Sequence, residues 1–424
     1  MTENNTPKSA KRPQASKAFA RHGRIKVQSK ASAIWGLLFK GLGLVLGATM
    51  AITGISVWQF SSTVKANEIV IAGAETADIN GPINMLLVGS DTRAGMGTAY
   101  GSETSTLADV IILLHVSADR KNAVALSFPR DLMVPWPACP STSTPPGPGY
   151  LPQSLGQINA TIANGGPGCT LLTVEKLTGI KIPYLAMINF KGVIEMSNAI
   201  GGVDVCVAQE ISDPYTQTYL KPGKYTLQGK AALQFLRTRH GVGDGSDLAR
   251  ISNQQTFLTS LVRKVKSQGV LTNPVYLYSL ATAAARNMQL SQSLNDVGVM
   301  VGIASALKNV DLNKITFLQV PSRGGLPAPY SGRVMPVYEQ ANLLFSKIVN
   351  DEPLIIAKAN TGAGAVVSDS PNPNPSPSPS ASSSASSSAS ASASSSPSPS
   401  PSASSDVLPD WARGTNGATT TCSG

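Results

Sequence analysis

The chain has 424 residues and a formal net charge of +10, yet residues 1 to 40 alone carry nine Lys/Arg against one Glu. The remaining 384 residues hold 25 basic and 23 acidic side chains, so the body of the protein is not a polycation and a nucleic-acid binder is not expected. Three histidines and four cysteines in the whole chain make a histidine-based zinc centre improbable.

In chain order, the first predicted element lies within GLGLVLGATMAITGISVWQF, residues 41 to 60, twenty residues without a charge. As a helix it is about 30 Å long, enough for a bilayer core, and Trp35 and Trp58 flank it. The basic segment before it predicts a cytoplasmic N-terminus and an extracytoplasmic remainder. A cleaved leader is the competing reading, since Val64, Lys65 and Ala66 weakly resemble a cleavage site. The apolar run exceeds the usual leader core of about 7 to 15 residues, which favours an uncleaved anchor. The expected organisation is a cytoplasmic tail over 1–32, a transmembrane helix over 33–60, a stalk over 61–80 and a folded domain over 81–355. A disordered Ser/Pro/Ala-rich linker over 356–405 and a short tail over 406–424 follow.

Within the folded part, NMLLVGS, DVIILLHVS and NAVALSFP read as strands, the last two joined by a turn at ADRKN. Helical patterns in TLLTVEKLTG and FKGVIEMSNAIGG alternate with strands YLAMIN and VDVCV. A longer helix is expected near 247–268, two apolar helices between 273 and 309, a strand at KITFLQV and a last helix near 335–351. This predicts an α/β fold with a mixed central β-sheet flanked by helices. Cys139 and Cys169 both sit in Gly/Pro-rich loops and are the expected disulfide pair. Cys206 reads equally well as a small buried thiol, and no partner is assigned to Cys422.

Chemistry concentrates in FLRTRHGVGDGSDLARISNQQ, residues 235 to 255. A strand end at FLRTR puts Arg237 and Arg239 on one face, and a helix starting near Asp247 puts Arg250 and Gln254 on another. Guanidinium forks match phosphate oxygens, although local pairing with Asp or Glu explains such a cluster as readily. Two apolar strands deliver further charge at their ends, Asp91 and Arg93 after NMLLVGS, Arg130 and Asp131 after AVALSFP. Asp109 stands at the mouth of the strand between them. Together these are carboxylates able to hold Mg²⁺ and arginines able to hold phosphate.

The motifs SDTR, ADVIILLHV, SFPRD, LTGI, GGVDV, RTRH and DLARISNQQ, in this order, resemble the LytR-CpsA-Psr cell-envelope proteins over roughly residues 81 to 270. The resemblance implies a domain that binds a polyisoprenyl-pyrophosphate-linked glycopolymer and transfers it, with Mg²⁺, to a peptidoglycan hydroxyl. It implies Asp91 and Asp109 as magnesium ligands, and Arg93, Arg130, Arg237, Arg239, Arg250 and Gln254 as pyrophosphate contacts. Asp91, Asp109 and Arg130 are the implied catalytic set. This chain has Leu107 and Gln157 where the resemblance implies basic residues, which implies a weaker phosphate grip, with either lower activity or another charge in their place. A non-catalytic membrane-anchored sensor of lipid-linked precursors is the alternative reading. His240, next to RTR, is expected to be structural, and the apolar helices between 273 and 309 suit either a prenyl tunnel or ordinary core packing.

Overall fold

A computed structural model describes residues 30–66, 68–69, 78–92, 106–141, 147–267, 274–368 and 407–424. Residues 369–405 of the linker expected to be disordered, and Arg93, lie outside them. Helix α1 (Lys30–Ala66) has 37 residues, about 55 Å, and contains the uncharged run. Among the described residues no helix is long and apolar enough to cross a membrane. The expected stalk is in part structured, since α1 continues to Ala66 and Glu68–Ile69 forms a strand.

Eight strands form the central sheet, numbered within it in chain order. They are β1 (Glu68–Ile69), β2 (Ile83–Ser90), β3 (Ala108–Val116), β4 (Ala123–Phe128), β5 (Tyr184–Ile188), β6 (Met288–Ser291), β7 (Ile315–Gln319) and β8 (Gly414–Asn416). Their spatial order is β1-β6-β5-β2-β3-β4-β7-β8. The β2–β3–β4 meander is antiparallel, whereas β5 joins β2 and β7 joins β4 in parallel. The sheet is therefore mixed, as its alternating strand and helix patterns implied.

Side-chain alternation divides the strands between two cores. Leu86, Val88, Ile111, Leu113, Leu126 and Leu318 enter one cluster, with α2 (Thr161–Thr178) and the later helix Tyr338–Val349 packed over it. Ile83, Met85, Ile112, Ala125 and Phe317 enter the other. There they meet helices α6 (Pro274–Asn287) and α7 (Val297–Asn309). Ala285, Ile303 and Ala306 are buried in that cluster, so for them core packing is what the fold uses.

A second, four-stranded sheet has the order Gly223–Leu227, Val203–Val207, Thr421–Ser423, Ala365–Val367. This corrects the expected ending of the chain. The residues set apart as a tail supply β8 to the central sheet and an inner strand to the second sheet, and 356–367 is part of the fold rather than linker. Cys422 is bonded to Cys206, so Cys206 is not a free thiol. The expected Cys139–Cys169 disulfide is present. Gly165 makes room for it, since a Cβ there would lie 2.8 Å from Cys169 Cβ and 2.9 Å from Cys139 Cβ.

Candidate functional site

Because β2 and β4 both run antiparallel to β3, the residues following them emerge at the sheet end where β3 begins. Asp91, Asp109, Arg130 and Asp131 are thereby brought to one edge. A register shift at Gly89/Ser90 turns the end of β2, and glycine is needed there because a Cβ on Gly89 would sit 2.9 Å from Val110 Cβ. Asp109 is already the second residue of β3 rather than a residue before it. The Asp91 carboxylate accepts the Leu107 N–H at 2.6 Å, so Leu107 acts through its backbone.

The stretch FLRTR is not a strand. Lys230–Arg237 forms α4, which buries Ala232, Leu233 and Phe235 at helical spacing, and Ala232, Phe235 and Leu236 pack with the second sheet. Arg237, its last residue, lies over the Phe190 ring at 4.5 Å and not beside Arg239 on a strand face. Helix α5 (Asp247–Ser267) crosses the end of α4. Asn253 Nδ2 donates to the Phe235 carbonyl at 2.8 Å and Gln254 Nε2 to the Leu236 carbonyl at 3.1 Å. A helix leaves its last four carbonyls without internal partners, and these two amides satisfy two of them. Gln254 thus ties α5 to α4, which differs from the expected phosphate contact.

This docking sets Arg250 against the end of the central sheet. Arg250 Nη2 is 2.5 Å from Asp247 Oδ1 and donates to the Asp109 carbonyl at 3.2 Å, while Nη1 is 3.9 Å from Asp109 Oδ1. Arg130 Nη1 is 2.7 Å from Asp109 Oδ1, and its Nε is 3.5 Å from Asp247 Oδ1 and 3.6 Å from Asp131 Oδ2. The Arg130 N–H also donates to Asp247 Oδ2 at 3.2 Å. Burial pushes the Arg250 guanidinium below its ordinary value, Asp247 and Asp109 oppose this, and repulsion from Arg130 and Arg239 adds to it. Burial also works against charge on Arg130, but Asp109, Asp247 and Asp131 outweigh it and raise its pKa.

The arginines are not fully satisfied by these acids. The Nε atoms of Arg130, Arg239 and Arg250 are buried without a hydrogen-bond partner. Among the described residues no carboxylate pairs with Arg239, although it is close enough to Arg250 to repel it. A buried donor left unpaired costs about 1–3 kcal/mol, so an anion seated here recovers what the free state forgoes.

Several participants escaped the sequence reading. Asp247 was read as a helix-start carboxylate, and that position is what places it under Arg130 and Arg250. Arg333 Nη1 meets Asp131 Oδ1 at 2.6 Å, beside Gln157 Nε2, which donates to the same oxygen at 2.5 Å. The additional charge beside Gln157 is therefore Arg333, about two hundred residues from its partner and without a local signal. His240 packs its ring on Tyr215 with centroids 4.6 Å apart, and Asp213 accepts its backbone N–H at 3.2 Å.

Asp91 and Asp109 offer hard oxygen donors at one strand end, which fits Mg²⁺. Among the described residues no group of three or more His, Cys, Asp or Glu side chains gathers to hold a metal. Further ligands would come from phosphate and water, the usual arrangement for this ion.

The chain is 28% identical over 267 residues to the cell wall biosynthesis protein LcpA of Corynebacterium glutamicum, across 57% of this chain and 50% of that protein. It therefore spans about half the length of that relative. It is 29% identical over 239 residues to the Bacillus subtilis polyisoprenyl-teichoic acid–peptidoglycan teichoic acid transferase TagT, across 55% of this chain and 67% of that one. The solved LytR-Csp2A-Psr enzyme from Actinomyces oris shares the fold, with a TM-score of 0.50 and 22% identity over 66% of this chain and 94% of the other. The sequence model of the LytR_cpsA_psr family matches residues 55–343, which include Asp91, Asp109, Arg130, Arg237, Arg239, Arg250 and Arg333. With this arginine–carboxylate edge and that match over more than half of its length, the chain belongs to the LytR_cpsA_psr family.

Proposed function

We propose that this protein transfers a glycopolymer from a polyisoprenyl-pyrophosphate carrier to a peptidoglycan hydroxyl, forming a phosphodiester. The observation that carries this reading is the trio Arg130, Arg239 and Arg250, three guanidiniums at one strand edge, each with a buried Nε donor that the surrounding carboxylates leave without a hydrogen bond. A pyrophosphate supplies the missing acceptors in bidentate geometry. The name of the Bacillus subtilis relative, a polyisoprenyl-teichoic acid–peptidoglycan transferase, supports the substrate class.

In the reaction, a hydroxyl oxygen of the acceptor sugar attacks the phosphorus nearer the glycopolymer. A new P–O bond forms, the bond from that phosphorus to the bridging oxygen breaks, and prenyl phosphate departs with the electron pair. Arg130, Arg239 and Arg250 stabilise the charge that builds on the transferred phosphoryl and on the leaving phosphate. Asp91 and Asp109 would hold Mg²⁺, which when bound supplies further charge neutralisation. The metal role comes first for Asp91 and Asp109, and one of them also assists deprotonation of the attacking hydroxyl.

The same reading places the domain outside the cell, with α1 as an uncleaved anchor. Its support is the uncharged run of twenty residues, the basic segment before it, and two disulfides of a kind that persists in oxidising compartments. The test is incubation of the purified protein with a lipid-linked oligosaccharide, peptidoglycan fragments and Mg²⁺. Transfer is expected, and Arg130→Ala or Asp91→Ala should abolish it. Binding of the lipid without turnover in the unmodified protein points instead to a sensor.

A further inference from the structure

Beside the arginine edge lies a separate cavity of about 300 Å³, large enough to hold a small ligand. Its walls carry Gln319, Ser322, Gln340, Asn360, Trp411 and Arg413. Leu248 also lines it, and Leu248 directly follows Asp247 at the head of α5. Gln319 ends β7 opposite Ser127 of β4, three residues before Arg130. The cavity and the phosphate edge thus share the start of one helix and the ends of two paired strands.

Its chemistry is unlike that edge. Two side-chain amides, a third from Asn360, one hydroxyl, one guanidinium and one indole face a common space. Gln319 is 5% exposed, and its Nε2 is buried without a hydrogen-bond partner. Arg413 is exposed at the rim and lies near Asp244 of the glycine-rich loop that leads into α5, adding to the hydrogen bonds from Ser246 that hold the Asp244 carboxyl low. An aromatic face with amides and one cation around it suits a ring bearing many hydroxyls, since stacking takes the C–H face and the planar polar groups take the hydroxyl edge.

We propose that this cavity is a sugar subsite, seating one monosaccharide unit of a glycan next to the phosphoryl group under transfer. It rests on the transferase reading above. Trp411 and Arg413 lie past residue 343, where the family match ends, and they return to the site only because the chain's last segment pairs into both sheets. The sugar unit belongs either to the acceptor strand or to the donor polymer, which share this chemistry.

The experiment uses the full chain in detergent with two probes, an N-acetylglucosaminyl-N-acetylmuramic acid disaccharide and a lipid-linked oligosaccharide. Calorimetry gives the disaccharide Kd, and transfer kinetics give KM for each substrate. Arg413→Ala and Gln340→Ala, both at non-core positions, are each expected to weaken one of the two sugars about tenfold, with kcat within about twofold. A rise confined to the disaccharide assigns the subsite to the acceptor, and a rise confined to the lipid-linked probe assigns it to the donor. No change beyond about twofold in either variant, with transfer intact, overturns the subsite and leaves the transferase reading standing. Disaccharide binding lost in the variants of a protein that never turns over has the opposite meaning, removing the transfer and keeping the subsite.

Discussion

Strand β3 carries an ionisable group near each end, His115 buried and Asp109 half-buried, and the two ends are built to different rules. At the far end His115, 3% exposed, has Nδ1 2.8 Å from Asn84 Oδ1 and Nε2 3.0 Å from Asp351 Oδ1. Asp351 in turn accepts the Ala118 N–H at 3.0 Å. Both ring nitrogens face an oxygen, and of these three side chains one buried atom, the acceptor Asp351 Oδ1, is left without a hydrogen bond. At the near end Asp109 serves Arg130 and Arg250 at once, Asp247 lies against the same two, and three Nε donors are left without a hydrogen bond beside one such acceptor, Asp247 Oδ1. A network whose spare atom is an acceptor offers an anion nothing, whereas one with several spare buried donors is held ready for an anionic ligand. The difference is a physical criterion for separating a structural polar cluster from a working one.

The largest effect should come from the near end. Arg250→Ala removes a guanidinium that reaches both Asp109 and Asp247, and transfer is expected to fall by about 10²- to 10³-fold, the usual cost of losing one oriented donor. Release of prenyl phosphate measures it. Retention of full transfer in a folded Arg250→Ala protein breaks the comparison, because the near end is then no more than scaffold.

Asp247→Asn sharpens it. Removing this carboxylate leaves Arg250 with Asp109 alone and Arg130 with Asp109 and Asp131, and breaking a buried pair costs about 3 kcal/mol. If the edge is an anion site, inorganic pyrophosphate should restore more thermal stability to Asp247→Asn than to the unmodified protein, since it replaces the missing acceptor. Equal shifts in both melting temperatures would count against that. At the far end the matching change, Asp351→Asn, should cost about 1 kcal/mol through one weakened hydrogen bond, show no pyrophosphate response and leave transfer unchanged.

The sequence made the central sheet legible because its strands carry long apolar runs with clear ends, as in NMLLVGS and ADVIILLHV. Charges flanking those ends gave Asp91, Asp109 and Arg130 their common edge without any knowledge of the topology. FLRTR misled because alternating arginines mimic a strand, while the helical period is carried by KAALQFL before them. The pairing of Asp131 with Arg333, and of Cys206 with Cys422, spans 202 and 216 positions, and nothing local announces either. The C-terminal strands were hidden for another reason. Short segments such as Gly414–Asn416 and Thr421–Ser423 have too few residues to show alternation, and the low-complexity stretch before them reads as the end of a domain.

The smallest effect is one of pH. Burial holds the His115 pKa below its ordinary 6.5, against the opposing charge and hydrogen bond of Asp351. In the unfolded chain the same ring takes a proton near pH 6.5. Between that pH and the lower folded value the unfolded state binds more protons, so stability falls as the solution is acidified through this window and is unaffected above it. The slope from one such group is at most about 1.4 kcal/mol per pH unit. Urea midpoints between about pH 7.5 and about pH 5 should therefore decline for the unmodified protein, and His115→Gln should flatten the decline. The window stops there because Asp119, whose carboxyl is held low chiefly by the Ser117 hydroxyl, begins to contribute a loss of the same sign only near its own ordinary range below about pH 4. A variant as steep as the parent would mean that acid enters elsewhere, and that the far end of β3 is not where protons act.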